Sequence, residues 1–114
     1  MFLKLMAKNY KILLSCYKWK RRLLILVSPR QDTRISQLDE FIATHQTDLN
    51  ERFLIIKRFT IDEINFGSDN IEQTGFWLIG YDGNIKGHGL HTDFLNQIFS
   101  TIDEMPIRMQ EKKL

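Results

Sequence analysis

Apolar and polar positions alternate along the chain in blocks that predict four strands. Residues 23–28, LLILVS, form an apolar run that ends at a proline, which is typical of a fully buried central strand. Residues 52–58, RFLIIKR, and residues 76–80, FWLIG, predict two further strands. Residues 82–84, DGN, form a strong hairpin turn that leads into a short fourth strand over 85–88.

Two other segments have the spacing of amphipathic helices. Asp32 or Thr33 can cap a helix that continues to about His45. Its apolar face consists of Ile35, Leu38, Phe41 and Ile42. Thr92 can cap a last helix, which ends at 105–106, Met-Pro, because the residue before a proline avoids the helical region. The apolar face of this helix consists of Phe94, Leu95, Ile98, Phe99 and Ile102.

The order of these elements predicts an α/β fold. A strand-helix-strand unit requires a right-handed crossover and a parallel pair, whereas the hairpin is antiparallel. We therefore expect a mixed sheet of about four strands, β-α-β followed by β-hairpin-α, flanked by helices. This is the thioredoxin-like arrangement; another small α+β sandwich with the same order is the alternative. One domain spans residues 1–114, with 1–16 as an N-terminal helix or lead-in segment and 105–114 as a C-terminal tail.

Composition and charge narrow the possible functions. A single cysteine allows neither an internal disulfide nor a Cys-x-x-Cys centre, and no apolar run is long enough to span a membrane. Residues 1–34 carry nine basic side chains and one acidic side chain, whereas residues 35–104 carry four and twelve. Such a basic end can attract phosphates or anionic lipid, so anion or nucleic-acid binding through this third of the chain stays open.

Aromatic residues bear on this alternative. Tyr10, Tyr17 and Trp19 interleave with the basic side chains, as in proteins that bind single-stranded nucleic acid. We expect Trp19 to pack in the core, however, which makes nucleic acid a disfavoured partner.

The first sixteen residues allow two interpretations of the cellular compartment of the protein. Lysines interrupt the apolar stretch that a secretory signal needs, so the cytoplasm is the default expectation. Residues 13–16, LLSC, loosely resemble a lipoprotein box, in which Cys16 would be the lipidated first residue. An exported or lipid-anchored form is therefore the alternative.

Three segments resemble the family catalogued as domain of unknown function 4174. Residues 17–29, YKWKRRLLILVSP, resemble its opening strand; residues 78–86, LIGYDGNIK, resemble its Leu-Ile-Gly-x-Asp-Gly-x-x-Lys hairpin; and residues 102–108, IDEMPIR, resemble its closing Ile-Asp-x-Met-Pro-x-Arg signature. The matching residues are Trp19, Lys20, Arg22, Pro29, Gly80, Asp82, Gly83, Lys86, Asp103, Met105, Pro106 and Arg108. The resemblance implies a thioredoxin-like fold without an established activity. It also implies kinship with exported bacterial proteins and with the C-terminal domains of sushi-repeat-containing matrix proteins.

The chemistry of thioredoxin-like enzymes is missing from the expected positions. Their catalytic cysteine follows the first strand, but residues 28–33, SPRQDT, contain none, and residues 73–76, QTGF, lack the usual cis-proline. We predict a non-catalytic binding or interaction module for an unknown protein or peptide partner, with no catalytic residue, metal or cofactor. The alternative is a thiol redox enzyme or sensor that uses Cys16, whose basic neighbours would favour the thiolate if it is exposed.

Two charged groups are candidates for a role beyond solubility. Arg30 and Arg34 lie near the start of the first helix, where free backbone amides attract anions, and form a candidate anion or ligand site; plain surface charge is the alternative. Asp103 and Arg108 can pair with each other or with the basic opening strand, which would hold the C-terminal segment as a structural clasp.

Overall fold

The computed structural model describes residues 17–61 and 74–113. Along this part of the chain the elements are, in order, β1 (Arg22–Ser28), α1 (Thr33–Thr44), α2 (Gln46–Glu51), β2 (Leu54–Thr60), β3 (Gly75–Ile79), β4 (Ile85–Gly89), a 3-10 turn (Thr92–Phe94), α3 (Leu95–Asp103) and α4 (Pro106–Lys113).

The four strands form one mixed sheet in the order β2-β1-β3-β4. β1 is parallel to β2 and antiparallel to β3, and β3 and β4 form the antiparallel hairpin. All seven residues of β1 are buried, because this strand has a neighbour on each edge and side chains packed on both faces. The prediction of an α/β fold with a four-stranded mixed sheet and flanking helices is therefore confirmed.

Alternate residues of the central strands face two separate cores, as the two-residue period of a strand requires. On one face Leu24 and Phe76 pack against Leu38 of α1 and Ile98 of α3. On the other face Leu23, Ile25, Val27, Trp77 and Ile79 form a second apolar cluster. The helices that the structure describes thus cover the first face and position the ends of α3 and α4 near the start of β1.

Several element boundaries differ from the predicted ones. The second strand runs over Leu54–Thr60 and not over 52–58, because a short helix, α2, follows α1 almost at once and Phe53 turns the chain with a φ of 53°. The strands predicted over 23–28 and 76–80 each begin one residue earlier. The segment expected as a C-terminal tail contains the helix α4.

We predict that Gly89→Ala destabilises the packing of β4 on the 3-10 turn. A Cβ at position 89 would lie 2.6 Å from Phe94 Cγ and 2.5 Å from Phe94 Cβ, an atom that cannot move without the backbone. The free energy of unfolding, measured in urea, should fall by about 1–3 kcal/mol.

Gly87→Ala is the matched control on the same strand. Its new Cβ would meet only the tip of the Phe94 ring, at 3.1 Å, so a small rotation of the side chain relieves the contact. Equal losses in the two variants would contradict this account.

Candidate functional site

Charged side chains from distant parts of the chain meet at one end of the molecule. We call this cluster the arginine clasp, and its members are Arg22, Arg52, Asp103, Arg108 and Glu111. They come from the start of β1, the turn before β2, the end of α3 and the helix α4. The clasp therefore joins four elements of the fold.

Asp103 is the acceptor that links the end of α3 to two arginines. Arg52 donates from Nε to Oδ1 and from Nη2 to Oδ2 of Asp103, both at 3.0 Å, in a bidentate geometry. These hydrogen bonds raise the pKa of Arg52. Arg108 Nε donates to Asp103 Oδ1 at 3.4 Å. The predicted pairing of Asp103 with Arg108 is thus confirmed. The pairing of Asp103 with Arg52 is not predicted, because Arg52 falls in the strand expected over 52–58.

Arg22 holds the helix α4 against the start of β1. Its Nη1 donates to the carbonyl oxygen of Arg52 at 2.7 Å and to Glu111 Oε1 at 3.3 Å. The guanidinium lies over the ring of Tyr81, 4.3 Å from its centroid. The Tyr81 hydroxyl donates to Glu111 Oε2 at 3.0 Å, and burial, followed by this contact, raises the pKa of Tyr81.

A pocket of about 520 Å³ lies beside the clasp. It brings together the three segments that were matched separately along the sequence. The matched residues that line it are Trp19, Arg22, Gly80, Asp82, Lys86, Met105 and Pro106. Its mostly apolar wall also includes Thr101 and three positions that the matched patterns leave unspecified, namely Tyr81, Glu104 and Ile107. Of the other five matched residues, Asp103 and Arg108 belong to the clasp, Gly83 lies in the hairpin turn, and Lys20 and Pro29 are exposed.

Trp19 stands at the mouth of this pocket, and the prediction that it packs in the core is wrong. Its side chain is 63% exposed. A turn in which Lys20 and Arg21 donate their backbone N–H to Tyr17 reverses the chain just before β1 and directs Trp19 outward. Its φ of 65° is rare for a large side chain, and its N–H donates to the Tyr81 carbonyl at 2.7 Å.

The hairpin turn supplies one wall of the pocket. Asp82 accepts hydrogen bonds from Asn84 N at 2.9 Å and from Lys86 Nζ at 2.8 Å, and these contacts, that of Lys86 foremost, lower the pKa of Asp82. Gly83 takes a φ of 80°, which glycine adopts without steric cost. The charges of Asp82 and Lys86 thus offset each other at the pocket wall.

The candidate anion site at the start of α1 is already occupied by a carboxylate. Asp32 caps the helix, as predicted, by accepting from Arg34 N at 2.8 Å. Arg34 also donates from Nε and Nη2 to Asp32 at 2.9 and 2.7 Å, and from Nη1 to the carbonyl of Leu90. The side-chain hydrogen bonds hold the pKa of Asp32 below its ordinary value. Arg30 is exposed in the adjoining loop. We therefore place no ligand there.

Cys16, the candidate redox residue, lies outside the described residues. The ring of His88 in β4 stacks on that of Trp77, with 3.9 Å between the ring centroids. Within residues 17–61 and 74–113, no three potential ligands cluster as a metal site would require, and no helix is long and apolar enough to cross a bilayer.

Comparison with known proteins yields no relative. The chain matches no family model, and no curated protein and no solved structure gives a significant match.

We predict that Asp103→Ala is a stability variant. Removing this carboxylate leaves Arg52 and the nearly buried Arg108 without their shared acceptor, and the free energy of unfolding should fall by about 2–4 kcal/mol. Asp39→Ala is the control, because Asp39 pairs with Arg58 on the open surface and should cost less than about 1 kcal/mol. An unchanged melting temperature for Asp103→Ala would contradict the clasp.

A pH dependence follows from the depressed pKa of Asp32. Because the folded-state pKa lies below the unfolded one, near 3.9, the Asp32–Arg34 pair stabilises the fold above about pH 4. This contribution is lost as the pH falls through the folded-state pKa. The stability difference between the wild type and Asp32→Asn, measured in urea, should be constant from about pH 5 to 7 and shrink below about pH 4. A difference that does not vary with pH would refute this assignment.

Proposed function

We propose that the chain is a non-catalytic binding module of the thioredoxin-like type, and that its partner is a peptide segment that occupies the pocket beside the arginine clasp. The observation that carries the proposal is the exposure of Trp19 in a strained backbone conformation at the mouth of this pocket. An exposed tryptophan beside an apolar pocket is typical of binding surfaces, because its ring offers a large contact area with few rotatable bonds.

The strain at Trp19 favours a functional origin for its position. A left-handed conformation costs a non-glycine residue about 1–2 kcal/mol, so the surrounding structure must stabilise it. The short hydrogen bond from Trp19 N–H to the Tyr81 carbonyl does so. The ring is consequently held outside the core in a defined place and not merely left in solvent.

The pocket suits a small apolar group. Its volume of about 520 Å³ lies within the range of about 300–1,000 Å³ common for ligand sites. Met105 and Ile107 form part of the wall, and Ile107 is 42% exposed. One or two apolar side chains of a peptide would bury this surface and the face of Trp19 together.

The chemistry of the pocket supports binding over catalysis. Among the described residues of its wall, the polar side chains are Arg22, Asp82, Lys86, Thr101 and Glu104, together with the hydroxyl of Tyr81. None is a histidine or a thiol. Asp82 and Lys86 are paired with each other, so neither is poised to transfer a proton. The absence of cysteine from residues 28–33 adds to this interpretation.

Two features support the thioredoxin-like assignment and the family resemblance. The strand order β2-β1-β3-β4, with β1 parallel to β2, is the one that the thioredoxin-like arrangement requires. The three segments that carry the resemblance lie far apart in the sequence but line one pocket. A binding surface common to this chain and the family it resembles would need these three segments in both.

We predict that binding depends on the ring of Trp19. Peptides selected from a displayed random library on the wild-type protein should lose at least about tenfold in affinity for Trp19→Gly, since aromatic anchors commonly dominate binding energy. Glycine also relieves the positive φ, so this variant should be at least as stable as the wild type, and lost binding is not lost folding. Isothermal titration calorimetry measures both affinities.

Phe53→Gly is the matched control. Phe53 is also exposed, at 41%, and has a positive φ of 53°, but it does not line the pocket. Its substitution should change peptide affinity less than about twofold. Peptides that bind all three proteins equally, or a library that yields no binder, would overturn the proposed function.

A further inference from the structure

We infer that the pocket recognises the C-terminal carboxylate of a peptide whose last side chain is apolar, and that the Nε and Nη2 edge of Arg22 binds this carboxylate. The inference rests on the proposed function and names the ligand class for the same pocket.

Arg22 is a fully buried arginine in which two of the three guanidinium nitrogens have no hydrogen-bond partner among the described residues. Its side chain has no accessible surface, and it lines the pocket. Only Nη1 donates hydrogen bonds, to Arg52 O and Glu111 Oε1. Nε and Nη2 have no hydrogen-bond partner within the part of the chain that the structure describes. Buried donors of a charged group are strongly destabilising when unpaired, so this edge calls for an acceptor.

Two other arginines show which acceptor fits this edge. Arg34 presents the same pair of atoms, Nε and Nη2, to the carboxylate of Asp32. Arg52 presents them to the carboxylate of Asp103. The planar fork of a guanidinium matches the two oxygens of a carboxylate, which makes this the preferred bidentate partner. The more deeply buried Arg22 has the same fork, but no carboxylate pairs with its Nε and Nη2.

The carboxylate of Glu111 contacts Arg22 but does not pair with its Nε and Nη2. Glu111 contacts Nη1 of Arg22, lies 3.5 Å from Arg108 Nη1 and accepts the hydroxyl hydrogen of Tyr81. The ring of Tyr81 covers a face of the guanidinium and leaves its edge unpaired. A carboxylate from outside the clasp can therefore complete Arg22 without breaking these contacts.

A peptide C-terminus fits the surroundings of this edge best. Its carboxylate and its last side chain diverge from one carbon, so the carboxylate can reach Arg22 while an apolar side chain packs against Met105 and Ile107. The preceding residues would then pass over the exposed ring of Trp19. Because Nε and Nη2 are covered in the free protein, the ligand must move side chains of the pocket wall, and the flexible thioether chain of Met105 is suited to this.

The test compares peptides that differ only at the C-terminal group. The probes are acetyl-Gly-Ala-Ala-X with X as Leu, Ile, Val or Phe, each as the free acid and as the amide, titrated into the wild-type protein. We expect the best free acid to bind at least about tenfold more tightly than its amide, because the amide cannot accept both charged hydrogen bonds. Equal affinities, or no binding of any free acid, would overturn the inference. Decanoate, a carboxylate on an apolar chain without peptide groups, is titrated as well. If it binds as tightly as the best peptide, the choice of a peptide as the ligand is overturned.

Arg22→Lys and Arg34→Lys form the matched pair of variants. Lysine keeps the charge but lacks the fork, so the preference for acid over amide should fall below about threefold in Arg22→Lys. It should persist in Arg34→Lys, because Arg34 does not line the pocket and its fork is filled by Asp32. A preference that persists in a folded Arg22→Lys would refute the role of Arg22; if that variant does not fold, the comparison of acid and amide on the wild type decides.

The outcomes separate this inference from the proposed function. Library peptides that require Trp19 but bind equally well as amides would leave the pocket as a binding site and remove the carboxylate from it. Peptides indifferent to Trp19 would remove the pocket itself.

Discussion

The architecture of this end of the molecule depends on the contacts of one buried group, the guanidinium of Arg22. A charge placed in the interior is tolerated only when donors and acceptors surround it, and the removal of one partner is costly. Arg22 meets this constraint at Nη1, with the carbonyl of Arg52 and the carboxylate of Glu111, and on one face, with the ring of Tyr81. Its Nε and Nη2 have no partner among the described residues. The three contacts fix the helix α4 and the hairpin relative to the central strand. Residues from the hairpin, from the start of β1 and from the junction between α3 and α4 line the pocket.

Two strained residues lie next to this charge in the fold, and backbone hydrogen bonds stabilise the turn at each of them. Trp19 and Phe53 have positive φ angles, at the turns that lead into β1 and β2. Each turn is tied to a neighbouring element by a backbone hydrogen bond, from Trp19 N–H to Tyr81 O and from Arg22 N–H to Phe53 O. Backbone hydrogen bonds next to the buried charge thus hold the turns. One of them presents a tryptophan to solvent at the edge of the pocket.

The excess of basic residues in the first third of the chain does not by itself indicate a basic surface in the folded structure. Arg22 and Arg34 belong to the basic first third of the sequence, yet both are committed to acceptors inside the fold. Arg34 and Asp32 form a closed pair at the start of α1. A count of charges along the sequence could not distinguish such paired arginines from a basic patch open to phosphate. What distinguishes them is the carboxylate that the fold places beside each guanidinium.

The sequence by itself determined the features that depend on near neighbours: the buried strand β1, the cap at Asp32 and the turn at Asp82, where each contact spans only a few residues. It did not determine that Trp19 points outward, because the apolar character of a ring does not reveal the turn beneath it. Nor did it reveal the pairing of Arg52 with Asp103, 51 residues away, or the meeting of three segments at one pocket. Only the tertiary structure decides such contacts, since they depend on how the helices pack on the sheet.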